Sequence, residues 1–243
     1  RNYPARTYGI HSAMPISKAF RLCPDGIFVQ PQFDVYVDVS RKIKNIIRRY
    51  ADAYESGGID EAYIDISSVG TYECAVQRGK ELQHHIFEQE NLTCSIGIGP
   101  NTLVAKIASD FRKPNGMTIV KPEEVKEFLA PLPVRKLLGV GPKTEARLHA
   151  EGITTIGQLQ SNHWHYLHAA ANGIGSTTIG RHYEAKSIGA QRTFWEDTKD
   201  VQKITSLIAQ LSEEVVGQAQ EQHVCFRTVT IVVRFADFET HTT

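Results

Sequence analysis

The sequence lacks any run of about 18 apolar residues, so it offers no membrane span. The residues following Arg1-Asn2-Tyr3-Pro4-Ala5-Arg6 do not form the short apolar block of a secretory signal, and the chain is expected to be soluble, cytoplasmic and free of the membrane. Cysteine is sparse. Cys23, Cys74, Cys94 and Cys225 are far apart and form no C-x-x-C pair, which argues against a zinc ribbon or a disulfide framework and makes buried structural thiols the expectation. Neither sign of charge is in excess: 27 Lys and Arg stand against 27 Asp and Glu. Overall charge therefore does not point to a polyanionic partner, and only the distribution of charge can. Repeats and low-complexity tracts are also missing. What remains is an ordinary globular composition, 41% hydrophobic and 22% charged over 243 residues, enough for one to three compact units.

Hydrophobic spacing supplies the organisation. Over residues 34–50, Tyr36, Val39, Ile43, Ile46, Ile47 and Tyr50 recur at helical spacing while Arg41, Lys42, Lys44, Arg48 and Arg49 take the other positions, which predicts an amphipathic helix with a basic outer face. After Gly57-Gly58, residues 59–66 alternate as a half-buried strand, with Tyr63 and Asp65 pointing away from Ala62, Ile64 and Ile66. A helix over 75–89, a strand over 92–98, a helix capped by Asn101 with the stripe Leu103, Val104, Ile107, Ala108 and Phe111, and a strand over 117–120 follow. This interleaving describes an α+β domain. From Lys121 to about Tyr183 the pattern is helical, broken at Pro131-Leu132-Pro133, Gly139-Val140-Gly141-Pro142 and Gly152. Residues 184–200 read as a linker, 201–220 as a helix and 227–235 as a strand.

Four segments carry chemistry. In Gly58-Ile59-Asp60-Glu61-Ala62-Tyr63-Ile64-Asp65, two adjacent carboxylates follow a tight glycine turn, where a hard divalent cation could take oxygen ligands. Alone, the pair is weak evidence and reads more readily as a solvated hairpin end. In Tyr3-x-x-Arg6, a phenol and a guanidinium one turn apart can both reach phosphate oxygens. Lys106, Arg112 and Lys113 lie at or near a helix end, where cations commonly just complement the dipole. In Leu138-Gly139-Val140-Gly141-Pro142-Lys143-Thr144, a two-glycine turn exposes backbone N–H groups at a helix start, a sequence-blind grip on phosphate to which Lys143 and Arg147 add charge. His84-His85 and His163-x-His165 read as surface or interface residues.

In this order the segments resemble the Y-family DNA polymerases, and most closely their polymerase IV branch. The resemblance runs through Tyr3-Pro4-Ala5-Arg6, Gly9-Ile10-His11-Ser12-Ala13-Met14-Pro15, residues 59–65, Ser95-Ile96-Gly97-Ile98-Gly99, Ala105-Lys106-Ile107-Ala108-Ser109-Asp110, Lys113-Pro114-Asn115-Gly116, Gly139-Val140-Gly141 and Lys186-Ser187-Ile188-Gly189. It implies a right-hand polymerase of α+β class: fingers at 1–33, palm at 34–121, a thumb with a helix-hairpin-helix at 122–185 and an incomplete little finger at 186–243. It implies template-directed, low-fidelity translesion synthesis in DNA damage tolerance, with two Mg²⁺ ions in the complete site. Asp60 and Glu61 would be catalytic and hold metal; Tyr3, Arg6 and Lys113 would bind the nucleotide triphosphate; Gly139, Val140, Gly141 and Lys143 would bind DNA. His11-Ser12-Ala13 matches a small-residue roof over the nascent base pair. The partners implied are primed template DNA, deoxynucleoside triphosphates and a sliding clamp reached through a further C-terminal tail, with the chain itself a monomer.

Against the family pattern, a strand bearing another metal-binding aspartate and an aromatic steric gate belongs before Tyr3, the thumb between Leu159 and Gly173 is short, and a last little-finger strand belongs after Thr243. The sequence is accordingly expected to be a fragment whose isolated activity is impaired. The alternative left open is a non-catalytic DNA-binding remnant or paralogue of the same fold. An unrelated helix-hairpin-helix repair protein would explain residues 136–155 but not the acidic segment.

Overall fold

The structure, a computed structural model, describes residues 2–161, 165–180 and 186–243, the side chains of residues 165 and 166 excepted. His163 and Tyr183 lie outside the described residues. The chain divides into two compact units, residues 1–181 and 182–243. No helix among the described residues is long and apolar enough to cross a membrane.

The first unit opens with two short helices, α1 (Tyr3–Thr7) and α2 (Ile16–Leu22). Asn2 caps α1 by accepting the Ala5 N–H at 3.0 Å, and Pro4 costs nothing in the first turn because its missing N–H would have had no partner there. Helix α3 (Phe33–Arg48) follows. Its inner face begins later than its periodicity predicts: Tyr36 is exposed, whereas Ser40 and Ile46 are buried. The hairpin of β1 (Ala53–Ser56) and β2 (Ala62–Asp65) runs Ala53 opposite Asp65 through Ser56 opposite Ala62. Strand β1 has no clear alternation that would mark it in the sequence. The alternation read in residues 59–66 is also weaker in fact, since every residue of β2 is half-buried.

Helix α4 (Tyr72–Glu90) is capped by Thr71, which accepts the Cys74 N–H. Strand β3 (Ile96–Ile98), shorter than the 92–98 expected, pairs in parallel with β4 (Met117–Ile119), and α5 (Thr102–Phe111) connects them with Asn101 as its cap. Ile46, Leu82 and Ile86 form one core beneath α3 and α4, with Ile64 of β2 and Ile96 of β3 packed against it. The two ladders therefore lie on common apolar ground, although they are separate two-stranded sheets.

The helical stretch comprises α6 (Val125–Leu129), α7 (Pro142–Ala150), α8 (Ile156–Leu159) and α9 (His165–Ala171), with 3₁₀ turns at Pro122–Glu124 and Val134–Lys136. It is not packed apart from the preceding helix α5. Leu103, Val104, Ile107 and Ala108 of α5 share one buried cluster with Val125, Leu129, Val140, Leu148, Ile156 and Leu159.

The second unit holds α10 (Val201–Glu221), capped by Asp200, and an antiparallel pair of β5 (Val232–Arg234) and β6 (Thr240–Thr242). The strand expected over 227–235 is thus three residues long. The cysteine expectation also needs correction, because Cys74 and Cys225 are exposed. Cys94 does face apolar surroundings, and burial pushes its thiol up to about 11.

Candidate active site

The acidic pair sits where the β1–β2 hairpin turns. The Gly57 N–H donates to the Glu61 carbonyl at 2.9 Å, closing a turn around Gly58-Ile59-Asp60. Gly58 takes φ +146°, a backbone region that a Cβ would strain. Two side chains of α3 fasten this turn: Ser40 Oγ donates to the Ile59 carbonyl and Lys44 Nζ to the Gly58 carbonyl. Ser40 is buried, so its hydroxyl has no water to turn to.

The two carboxylates differ in their surroundings. Asp60 is exposed and, among the described residues, takes no hydrogen bond or ion pair. Glu61 is half-buried, and each of its oxygens has its own partner: Tyr63 donates its hydroxyl to Oε1 at 2.9 Å, and Lys106 Nζ stands 2.8 Å from Oε2. Glu61 and Tyr63 share a face of the strand because strand side chains repeat every two residues. Burial, and then the Glu61 hydrogen bond, push the Tyr63 phenol well up from its ordinary value. The hydroxyl consequently remains a donor.

Helix α5 supplies Lys106, and Lys113 follows just beyond its end. Lys106 and Asp110, four residues apart on α5, form a charged flank beside the buried stripe of Leu103, Val104, Ile107 and Ala108. Lys113 Nζ makes an ion pair with Asp110, and the Asp110 charge contributes to raising Tyr63. Lys106 is not the end-of-helix cation its sequence position suggested: it lies mid-helix and is turned to the hairpin. Glycine at 97 permits this closeness, since a Cβ there would collide with the backbone of α5. The Lys106–Glu61 pairing joins residues 45 positions apart, and no local pattern in the sequence signals it.

The residues fit a divalent ion of a particular kind. Among the described residues no three His, Cys, Asp or Glu side chains converge, so there is no closed protein cage. One free and one half-buried carboxylate suit a hard cation that keeps water and substrate phosphate oxygens as its other ligands, which is how Mg²⁺ is commonly held.

Tyr3 and Arg6 of α1 lie together, the guanidinium 4.8 Å from the centre of the Tyr3 ring. Both are exposed. Among the described residues, no hydrogen bond or ion pair joins them to Asp60, Glu61 or Lys113. In the Gly139-Val140-Gly141 turn the three residues have different environments. Val140 is 3% exposed, its N–H donates to the Leu137 carbonyl, and its own carbonyl accepts from Arg135. It anchors the turn to the core and has no surface of its own for a ligand. Around it, a Cβ on Gly139 or Gly141 would meet nothing within 4 Å, and Lys143 is exposed. The open backbone beside a buried anchor leads into the first turn of α7, with Pro142 at its start.

The chain is similar along its length to known proteins. The impB/mucB/samB family matches residues 1–110, its C-terminal domain matches residues 185–243, and the IMS family HHH motif matches residues 122–153. DNA polymerase IV 2 of Methanosarcina mazei is 40% identical, with 99% of this chain and 69% of that protein covered. DNA polymerase IV of Lactococcus lactis subsp. cremoris is 37% identical, over 99% of this chain and 70% of that one. Among solved structures, the Y-family DNA polymerase chimera Dbh-Dpo4(243-245)-Dbh superposes with a TM-score of 0.85 at 28% identity, covering all of this chain and 73% of its own. The insertion ternary complex of Dbh DNA polymerase gives 0.72 at 27% identity, with 73% of that chain covered.

Proposed function

Because this chain belongs to the Y family of DNA polymerases, in its DNA polymerase IV branch, we propose that it carries out template-directed nucleotidyl transfer of the translesion kind, on primed DNA with deoxynucleoside triphosphates. One observation carries the assignment of residues: the acidic turn at Asp60-Glu61 is tied to α5 by the Glu61–Lys106 ion pair, and the same helix carries Asp110, the partner of Lys113. In phosphoryl transfer a protein mainly positions the reactants and offsets charge. Asp60 and Glu61 hold the divalent ion, which we take to be Mg²⁺; when bound, it neutralises charge on the attacking and leaving oxygens.

The remaining roles fall to groups this chain supplies. Arg6 presents a planar fork of donors to triphosphate oxygens, with Tyr3 stacked beneath it. Lys113 adds a point charge to the same triphosphate and exchanges its Asp110 partner for phosphate. The backbone at Gly139 and Gly141, with Lys143, holds duplex phosphates without reading sequence. The division into fingers, palm, thumb and little finger, a monomeric enzyme and a cytoplasmic location belong to the same reading.

Primer extension on a primed template tests it, with this chain and with a version prefixed by the preceding strand of a relative. Extension in the prefixed protein, abolished by Asp60→Ala, is expected. A prefixed protein that binds primed DNA and extends nothing, or one indifferent to Asp60→Ala, overturns the reading.

A further inference from the structure

Glu61 is the better defined of the two carboxylates, and its definition comes from outside the hairpin. Its Oε2 is paired to Lys106 Nζ at 2.8 Å, its Oε1 accepts from Tyr63 at 2.9 Å, and both ends of the ion pair are largely shielded, with Lys106 22% and Glu61 32% exposed at the side chain. Few other ion pairs among the described residues are so shielded; the Lys42–Asp38 pair, for example, is more than half exposed at both ends. An ion entering beside Glu61 therefore meets a carboxylate that already has a counterion. It also meets a fixed positive charge within a few ångströms.

We propose that Lys106 is a positioning residue that acts as a built-in competitor at the acidic turn: it holds the Glu61 carboxylate in place and lowers the affinity of the turn for a divalent cation, so that tight occupancy requires the negative charge of a bound triphosphate. The inference rests on the metal-holding role of Asp60 and Glu61 stated above. Its physical content has two parts. Removing the ammonium relieves repulsion between like charges, which strengthens cation binding. Removing it also leaves Oε2 without a partner and the carboxylate held by the Tyr63 hydroxyl alone, which weakens any step that depends on its placement. An ordinary structural ion pair would give neither the tighter binding nor the split between binding and turnover.

The test is a Mn²⁺ titration followed by the loss of the free-ion electron paramagnetic resonance signal, on the full chain without nucleotide. For Lys106→Met, which keeps the length of the side chain and removes its charge, Mn²⁺ affinity is expected to rise about tenfold. Lys106→Arg, which keeps the charge, is expected to stay within about twofold of the parent. In the prefixed protein the same Lys106→Met change is expected to lower kcat while lowering the Mn²⁺ concentration needed for half-maximal rate. Lys106→Gln serves as a second neutral variant, and circular dichroism checks that each is folded. Unchanged or weaker Mn²⁺ binding in both folded neutral variants overturns the inference. Glu61→Gln separates this failure from failure of the site: if parent binding is indifferent to Glu61→Gln and Asp60→Ala, the metal-holding role falls, and the inference falls with it.

Discussion

Adding one methyl group at Gly97 should dislodge the helix that carries Lys106 and leads to Lys113. A Cβ built on Gly97 would lie 2.0 Å from the Ala105 carbonyl oxygen and 2.3 Å from the Ser109 nitrogen, both backbone atoms of α5. Ordinary van der Waals contact begins at 3.4 Å, so the nearer approach is about 1.4 Å too close. No rotamer change can relieve it. Overpacking a core commonly costs about 1–3 kcal/mol, and a clash of backbone on backbone belongs at the top of that range, so Gly97→Ala should destabilise the first unit by about 3 kcal/mol. Native-state hydrogen exchange read on the peptide covering residues 96–111 is the appropriate assay, because it reports opening where the clash lies. An increase of about 150-fold in exchange corresponds to that cost. A change below about 0.5 kcal/mol, within the scatter of harmless surface substitutions, would refute the claim that close packing of β3 on α5 sets the site.

Other positions give contrasting expectations. Leu148→Ala and Ile156→Ala, both fully buried in the cluster shared with α5, should each cost about 2–5 kcal/mol in urea unfolding followed by circular dichroism. Gly141→Ala, where the added methyl group meets open space, should leave stability within about 1 kcal/mol of the parent yet weaken binding to fluorescent primed duplex; unchanged binding would remove this turn from the DNA interface. Asn101→Ala, which deletes both the α5 cap and the 2.8 Å bond from Nδ2 to the Gly173 carbonyl, should cost about 1–2 kcal/mol in thermal or chemical melts. Cys74 and Cys225 should react with iodoacetamide near neutral pH while Cys94 does not. Since the folded thiol of Cys94 is raised from 9.0 to about 11, its share of stability is intact below pH 9 and declines as pH climbs toward 11. Cys94→Ala should remove that part of the alkaline loss.

Much of this was legible in the residues. The Asn101 cap followed from an amide before an apolar stripe, and α3, α4 and α10 followed from spacing of 3.6 residues, because long amphipathic helices write their inner face into the sequence. Short strands do not. β1 carries Tyr54 and Glu55 on opposite sides with both half-buried, so alternation was too weak to mark it. Tyr36 misled for a related reason, since periodicity says which residues share a face but not where along the helix the partner begins. At the site, the acidic pair stood out as a motif, whereas Lys106 drew notice only as an end-of-helix cation. Its true partner, like the grip of Ser40 and Lys44 on the turn, depends on contacts between elements distant in sequence, for which local pattern has no signal.

The buried cluster running from α5 into the helical stretch has a mechanical consequence. Val104 and Ala108, neither with any exposed surface, are wedged among the same side chains that seat Val140 and Leu148. Close-packed interiors transmit displacement rather than absorb it. The turn we assign to the duplex and the helix that carries Lys106 therefore rest on one core, so that Val140→Ala is expected to disturb the Lys106–Glu61 pairing as well as the turn itself.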